Sequence, residues 1–455
     1  VNLTNAFFEA PSRDGIDMDK YLNEWSKQLF SGRDPASLSQ AVRRDESIRI
    51  GEKVKTLWKS FNAQRTKLEK HYLDSFDNFQ AYNAGFLLPN VQRVYSICRT
   101  RDLAPRLERL AKRNGTLKIL DFGAGPLSAS AGIVAGLAHF PPNKFEINAV
   151  ERTKRAFDFG SSLLRAAVPD DRRIETRLFT SATKIAGEMD VIIAANVFNE
   201  IPLNHRRRTL DSLLEKLSED GLLIIVEPGQ DIHSRALSSL RDSLIENAPF
   251  PFEIVAPCLH KKKCPLSSES NRTDWCWSQT MWKPPLVLAE LDRYTGLRHV
   301  ELNFSYLVIS KTSEKSLPNH FARIVSDPIA VGGPSSNGAF LRWARSNTIS
   351  DTKTLLENSL PTAALTKNLL CTTSGRLEAA IGLESAGDRG TLVKEIDVPC
   401  RCTERVELTP KETSPSTGGR SRRDTESRSP RSQKARPTQR RAQPEKREKT
   451  QKPRR

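Results

Sequence analysis

Thr116-Leu-Lys-Ile-Leu-Asp-Phe-Gly-Ala-Gly-Pro-Leu-Ser128 decides the fold. Thr116 to Leu120 has strand character, and it runs through Asp121 into a turn carrying Gly123 and Gly125. A helix of small residues follows, through Leu137. A strand that turns on glycines into a helix puts bare backbone and a helix N-terminus at the carboxyl edge of a sheet. Working outward, Phe145 to Val150 reads as a second strand ending in Glu151, with a helix from Lys154 to Ala167. Ile174 to Phe179 and Asp190 to Ala195 read as strands three and four, and Leu210 to Leu217 lies on a helix. Gly221 to Val226 is a fifth strand, ending in Glu227-Pro228-Gly229. Strands alternating with helices predict an α/β fold, a Rossmann-like parallel sheet with helices on both faces.

The flanks have other patterns. Residues 1–113 read as an N-terminal helical region: Tyr21, Trp25 and Leu29, then Val54, Leu57, Trp58 and Phe61, recur at helical spacing. Tyr82-Asn-Ala-Gly-Phe-Leu-Leu-Pro-Asn-Val-Gln-Arg-Val-Tyr95 leads into a further helix. The sheet domain is expected over 114–310, with a cysteine-rich loop at 256–280 inside it. Ile232 to Glu246 reads as a helix, and Phe252 to Pro257 and Phe304 to Ser310 as strands. Residues 311–405 are expected to hold a linker, rich in Ser, Pro and Gly over 311–350, and a small β-rich appendix. Residues 406–455 form the tail.

The chain has 71 Lys and Arg against 54 Asp and Glu, a net charge of +17. From Lys411 to Arg455 there are 16 basic and 5 acidic residues, a net +11, leaving +6 for the rest. With no aromatic residue, that tail has nothing to bury and is expected to be disordered and to attract phosphate. No apolar run approaches a membrane span, so no membrane partner is expected. The opening residues carry neither an apolar signal core nor early arginines, which points to a bacterial cytoplasm, with the mitochondrial matrix as alternative. Seven cysteines, an odd number, argue against a disulfide scaffold.

Two groups of residues carry chemistry. Asp121, Gly123 and Gly125 border the turn, and Glu151, 26 residues after Gly125, ends the next strand, where a carboxylate meets ribose hydroxyls. Asn196 adds a polar group after strand four. The stretch Ala195-Asn-Val-Phe-Asn-Glu-Ile-Pro202 has no Pro-Pro pair; Asn199 and Glu200 read as a helix cap, and no catalytic residue is assigned. The second group is Cys258, Cys264 and Cys276, spaced C-x5-C-x11-C, with Cys371 95 residues beyond. Four thiolates suffice for a tetrahedral zinc or an iron–sulfur cluster. Lys261 to Lys263 would lower their pKa values and offset a cluster's charge. His260 reads as a polar neighbour, Cys98 as core, and Cys400 and Cys402 as bystanders.

The glycine loop, followed by Glu151, resembles class I S-adenosylmethionine-dependent methyltransferases, although Leu127 stands where a third alternating glycine is usual. The wider combination resembles methyltransferase-like assembly factors of the small ribosomal subunit in bacteria and mitochondria. It is carried by Leu120-Asp-Phe-Gly-Ala-Gly-Pro126, Asn199-Glu-Ile, Ile225-Val-Glu-Pro-Gly229, Ala256-Pro-Cys258, Cys264-Pro-Leu266, Asp274-Trp-Cys276, Phe304-Ser-Tyr-Leu307 and Leu370-Cys-Thr-Thr-Ser-Gly-Arg376. The resemblance implies S-adenosylmethionine at the loop and a 4Fe-4S cluster on Cys258, Cys264, Cys276 and Cys371. It also implies the small ribosomal subunit and its rRNA as partners. No DNA is expected, and a monomer is assumed. The resulting expectation is an RNA-binding maturation factor. The alternatives are an active rRNA methyltransferase and, against the basic tail, a small-molecule methyltransferase with structural zinc.

Overall fold

The computed structural model describes residues 16–63, 72–113, 115–168, 173–267, 275–311, 321–324, 329–330, 366–373, 377–382, 392–394 and 401–402. All of them fall within one compact unit, Val1–Pro410. The tail 406–455, Cys400 and most of the expected linker lie outside the described residues.

The strands β1 (Thr116–Phe122), β2 (Lys144–Val150), β3 (Ile174–Phe179), β4 (Met189–Ala195) and β5 (Leu217–Pro228) form the parallel part of one sheet. Three more strands complete it: β6 (Glu253–Ala256), β7 (Ser278–Met281) and β8 (Glu301–Ser310). The order is β3-β2-β1-β4-β5-β8-β6, with β7 also paired to β8. β8 is antiparallel to β5 and is the reversed strand of an otherwise parallel row. Helices α6 (Ser128–Gly136), α7 (Lys154–Ala167), α8 (Leu203–Glu215) and α9 (Asp231–Glu246) connect the strands. This is the Rossmann-like fold of class I methyltransferases.

Period-two alternation sorts the core. On β5, Leu222, Ile224 and Val226 enter one apolar cluster, and Leu223 and Ile225 enter the other, beneath Leu210 and Leu214 of α8 and Leu237 of α9. The helices before the sheet are α1 (Met18–Leu29), α2 (Gln40–Ala63), α3 (Phe76–Gly85), α4 (Leu87–Cys98) and α5 (Ala104–Arg113). They do not stand apart: Tyr21, Trp25, Val54, Leu57, Val91 and Val94 belong to the first cluster, together with Leu117 and Phe145. Trp58, read with that apolar face, is 42% exposed, one position off the stripe set by Val54 and Leu57.

α4 lies against α6 because α6 is built of small residues. A Cβ on Gly132 would lie 2.6 Å from Val94 Cβ, and one on Gly136 would lie 2.6 Å from Cys98 Cβ. Cys98 is buried at this contact, as its apolar setting predicts. A second, antiparallel sheet is ordered β13-β9-β11-β12-β14, with β10 on β11. Its strands are β9 (Phe321–Ile324), β10 (Ile329–Ala330), β11 (Thr366–Thr372), β12 (Leu377–Gly382), β13 (Leu392–Lys394) and β14 (Arg401–Cys402). β9 and β10 arise within the stretch expected to be linker: strands of four and two residues leave too little alternation to read among Ser, Pro and Gly.

Candidate functional site

The glycine loop hangs from the end of β2. Gly123 N–H and Ala124 N–H both donate to Val150 O, at 2.9 and 3.1 Å. Gly123 and Gly125 have φ of +74° and +50°, a region open to glycine at little cost. Leu127 takes φ +56° as well, so the backbone keeps the bend that a third glycine would ease. The two glycines differ in surroundings. A Cβ on Gly123 would lie 2.6 Å from Val197 Cγ2, whereas one on Gly125 would meet nothing within 4 Å. Gly123 lets the loop close on the end of β4, and Gly125 presents its backbone to open space.

The two acids of the motif hold the loop in place. Asp121 is 1% exposed, and its Oδ2 accepts from Ser130 N–H at 3.2 Å and Ser130 Oγ–H at 2.7 Å, tying α6 to β1. Burial pushes its carboxyl up to about 7, against the lowering effect of Ser130, while the neighbouring Glu151 charge adds to the rise. Glu151 Oε2 accepts from Gly125 N–H at 2.8 Å, and Oε1 accepts from Arg152 and Thr153 N–H, each at 2.8 Å. A carboxylate has about four acceptor positions. Three are therefore engaged by the loop and the residues just before α7, which leaves one.

At β4, Asn196 is left-handed, with φ +57°, and its N–H donates to Val226 O at 2.7 Å. Its Nδ2 donates to Asn90 Oδ1 on α4, at 3.2 Å. Asn90 Nδ2 donates in turn to Tyr82 Oη at 3.1 Å, and Arg93 Nη1 donates to Asn90 Oδ1 at 2.6 Å. Burial pushes the Tyr82 phenol up to about 12; hydrogen bonds from Asn90 and Ser128 oppose this, and the charges of Glu200 and Glu151 reinforce it. The helical region before the sheet thus borders the site through Tyr82 and Asn90, with Arg93 bound behind Asn90. Sequence reasoning assigned these residues no role, although a polar run on an otherwise apolar helix was the available signal.

Asn199 does not cap a helix. The short turn Phe198–Glu200 has no side-chain cap, and buried Glu227 instead accepts from the N–H groups of Phe198 and Asn199, at 2.9 and 3.1 Å. Both amide atoms of Asn199 are shut from solvent and have no hydrogen-bond partner among the described residues.

Cysteines from distant segments lie near enough to feel one another's charge. Cys258 and Cys264 follow β6, Cys276 precedes β7, and Cys371 lies on β11. Burial first, and then the nearby sulfurs of Cys258, Cys264 and Cys276, push the Cys371 thiol well above its usual range. His260 Nε2 lies 3.4 Å from Cys371 Sγ. Its Nδ1 accepts from Lys262 N–H at 3.1 Å, so the proton sits on Nε2 and points at the sulfur. Desolvation, aided by Arg241, lowers the imidazole to about 4, leaving it neutral. The cations beside the sulfurs are Arg241 and Arg323, both 3% exposed, and each opposes the burial-driven rise of the Cys258 thiol. Lys261 instead binds Phe252 O and covers the Phe252 ring, and Lys263 pairs with Glu246 at 3.1 Å. The expected lysine charge is therefore supplied by two buried arginines far away in sequence. Among the described residues, no three His, Cys, Asp or Glu side chains meet closely enough to hold a metal ion. Nor is any helix there long and apolar enough to cross a membrane.

The family model for mitochondrial small ribosomal subunit Rsm22 matches residues 100–336, 237 of the 455. The span contains the glycine loop and Cys258, Cys264 and Cys276; Cys371 lies beyond it. No curated protein matches the chain significantly. Among solved structures, the chain is similar to magnesium protoporphyrin IX methyltransferase of Synechocystis with bound S-adenosylmethionine, at 13% identity and a TM-score of 0.31. That match covers 57% of this chain and 97% of the other. Precorrin-6y C5,15-methyltransferase of Geobacter metallireducens is similar at 15% identity and a TM-score of 0.28, over 46% of this chain and 87% of its own. With scores this low, the fold rests on the sheet's own strand order and polarity.

Proposed function

We propose that this chain, which belongs to the Rsm22 family, is a factor of the small ribosomal subunit that binds rRNA and S-adenosylmethionine and holds a 4Fe-4S cluster. One observation carries the reading: a single family span includes both the glycine loop and three of the four cysteines. The family's description favours the mitochondrial matrix over a bacterial cytoplasm. Gly123, Gly125, Glu151 and Asn196 would line the cofactor, with Asp121 holding α6 behind them. Support comes from the open space before Gly125 and the remaining acceptor position on Glu151.

Cys258, Cys264, Cys276 and Cys371 would hold the cluster. The donor chemistry supports this: Cys371 feels the charge of the other three sulfurs, Cys258 feels that of Cys264, and Arg241 and Arg323 oppose the rise at Cys258, although the side chains would have to close in further to share one centre. When bound, the cluster supplies iron–thiolate bonds; a zinc ion would supply a similar tie. The chain's own part is to bring the loop after β6 against β11 and to aim the His260 proton at Cys371. The acceptor side, with Glu227 spent on two amides, favours binding over methyl transfer. The unpartnered Asn199 amide supports the second reading, an active rRNA methyltransferase.

Full-length protein is expected to co-sediment with small ribosomal subunits and to crosslink to their rRNA. Deleting residues 411–455 removes a net +11 and should flatten the salt dependence of that binding. Anaerobic preparations should contain iron and sulfide, lowered by Ser at any of the four cysteines and unchanged by Cys98→Ser. Stoichiometric zinc without sulfide would replace the cluster with a zinc site, and absence of subunit association would overturn the reading as a whole.

A further inference from the structure

The carboxyl edge of the sheet is rich in acids. Asp121, Glu151 and Glu227 lie at the ends of β1, β2 and β5, and Glu200 lies just after β4. Such an edge suits the ammonium and sulfonium groups of S-adenosylmethionine but repels its carboxylate unless a cation is placed there. Arg206 lies nearby, but its Nε is bound to Ile201 O at 2.8 Å and its Nη2 to Asn199 O at 3.4 Å.

Arg93 is different. Its one hydrogen bond among the described residues is to Asn90 Oδ1, and no carboxylate among them pairs with it. Its Nε is shut from solvent and has no hydrogen-bond partner among the described residues. Burial lowers the guanidinium to about 10, so it remains a cation at neutral pH. Arg93 is half-buried, and even partial withdrawal of a cation from water is costly when a neutral amide is its one partner among the described residues. Its position is fixed, because α4 is locked on α6: a Cβ on Gly132 would lie 2.8 Å from Val91 O. Asn90 Oδ1 accepts from Arg93 and Asn196 at once, so the guanidinium shares an acceptor with the residue just after β4.

We propose that Arg93 binds the carboxylate of the cofactor's amino-acid half, so that helix α4, outside the matched span 100–336, completes the cofactor site. The inference rests on the cofactor reading above. A guanidinium fork matches a carboxylate in two parallel hydrogen bonds.

The test is calorimetry on the full chain with two probes, S-adenosylmethionine and its decarboxylated analogue. Wild type should prefer S-adenosylmethionine by about tenfold or more, the worth of a charge-assisted contact. Arg93→Met should erase that preference by weakening S-adenosylmethionine alone, and Arg93→Lys should restore part of it. The melting temperature of ligand-free Arg93→Met should hold or rise, since the variant removes an unpaired charge; Arg93→Gln serves where Met does not fold. An unchanged preference in the variants, or equal loss for both probes, overturns the inference while leaving the cofactor reading intact. Loss of RNA binding with the preference unchanged would assign Arg93 to a phosphate instead and also overturns it. A wild type that binds neither probe overturns both readings.

Discussion

Arg323 and Asp102, 221 residues apart in the chain, form a buried ion pair of 2.5 Å. Arg323 Nε also donates to Pro257 O at 2.6 Å, and Arg323 stands opposite Cys371 in the pairing of β9 with β11. One guanidinium therefore joins the segment before α5, the cysteine loop and the second sheet, within charge range of Cys258. Both charges are almost wholly withdrawn from water, so each depends on the other.

Arg323→Met should destabilise the protein by about 3–5 kcal/mol, because it leaves the Asp102 carboxylate buried without its partner. Asp102→Asn should cost a similar amount by stranding the arginine. The double variant should recover part of the loss, with urea denaturation of all four proteins giving the coupling. Strictly additive losses would mean that the pair is a bystander.

The two loop glycines should separate stability from binding. Gly123→Ala places a methyl against Val197 and should cost about 1–3 kcal/mol as overpacking. Val197→Ala, by making room, should return part of it. Gly125→Ala meets no neighbour and should cost about 1–2 kcal/mol, from its left-handed backbone alone. S-adenosylmethionine affinity, read by calorimetry beside thermal melts, should nevertheless fall further for Gly125→Ala than its small stability loss suggests.

Asp121 makes stability depend on pH. Its carboxyl is raised from 3.8 to about 7 by burial, so folding favours the protonated form. The stabilisation is complete below about pH 4 and is lost as pH rises towards 7. Asp121→Asn keeps an acceptor for Ser130 and removes this titration. Above pH 7 the variant should be more stable than wild type, by at most about 4 kcal/mol. Denaturation curves at pH 4, 6 and 8 check this, and parallel curves for the two proteins would contradict it.

By itself the sequence determined the sheet, because the signals for it are local. β3 and α7 begin and end where the pattern of apolar residues predicted, Ile174 to Phe179 and Lys154 to Ala167, since strand alternation and helix periodicity are properties of adjacent residues. The turn at Gly123 and Gly125 was legible for the same reason, since positive φ is a requirement of single positions. The cysteines drew attention as a group because three are close in sequence. What they face was not: Lys261 and Lys263 are drawn to Phe252 and Glu246, and the compensating charges, Arg241 and Arg323, arrive from α9 and β9. The backbone partners of Glu151 were hidden for a similar reason. A carboxylate expected to await a ribose is already engaged by three backbone amides, one of them 26 residues earlier. Only tertiary structure decided such pairings, because an electrostatic or hydrogen-bonded partner is fixed by distance in space, and chain separation carries no information about it. Arg93 is the extreme case: along the chain it is one basic residue on a helix, and only its half-buried place beside Asn90, with Nε closed off, shows that no carboxylate among the described residues meets it.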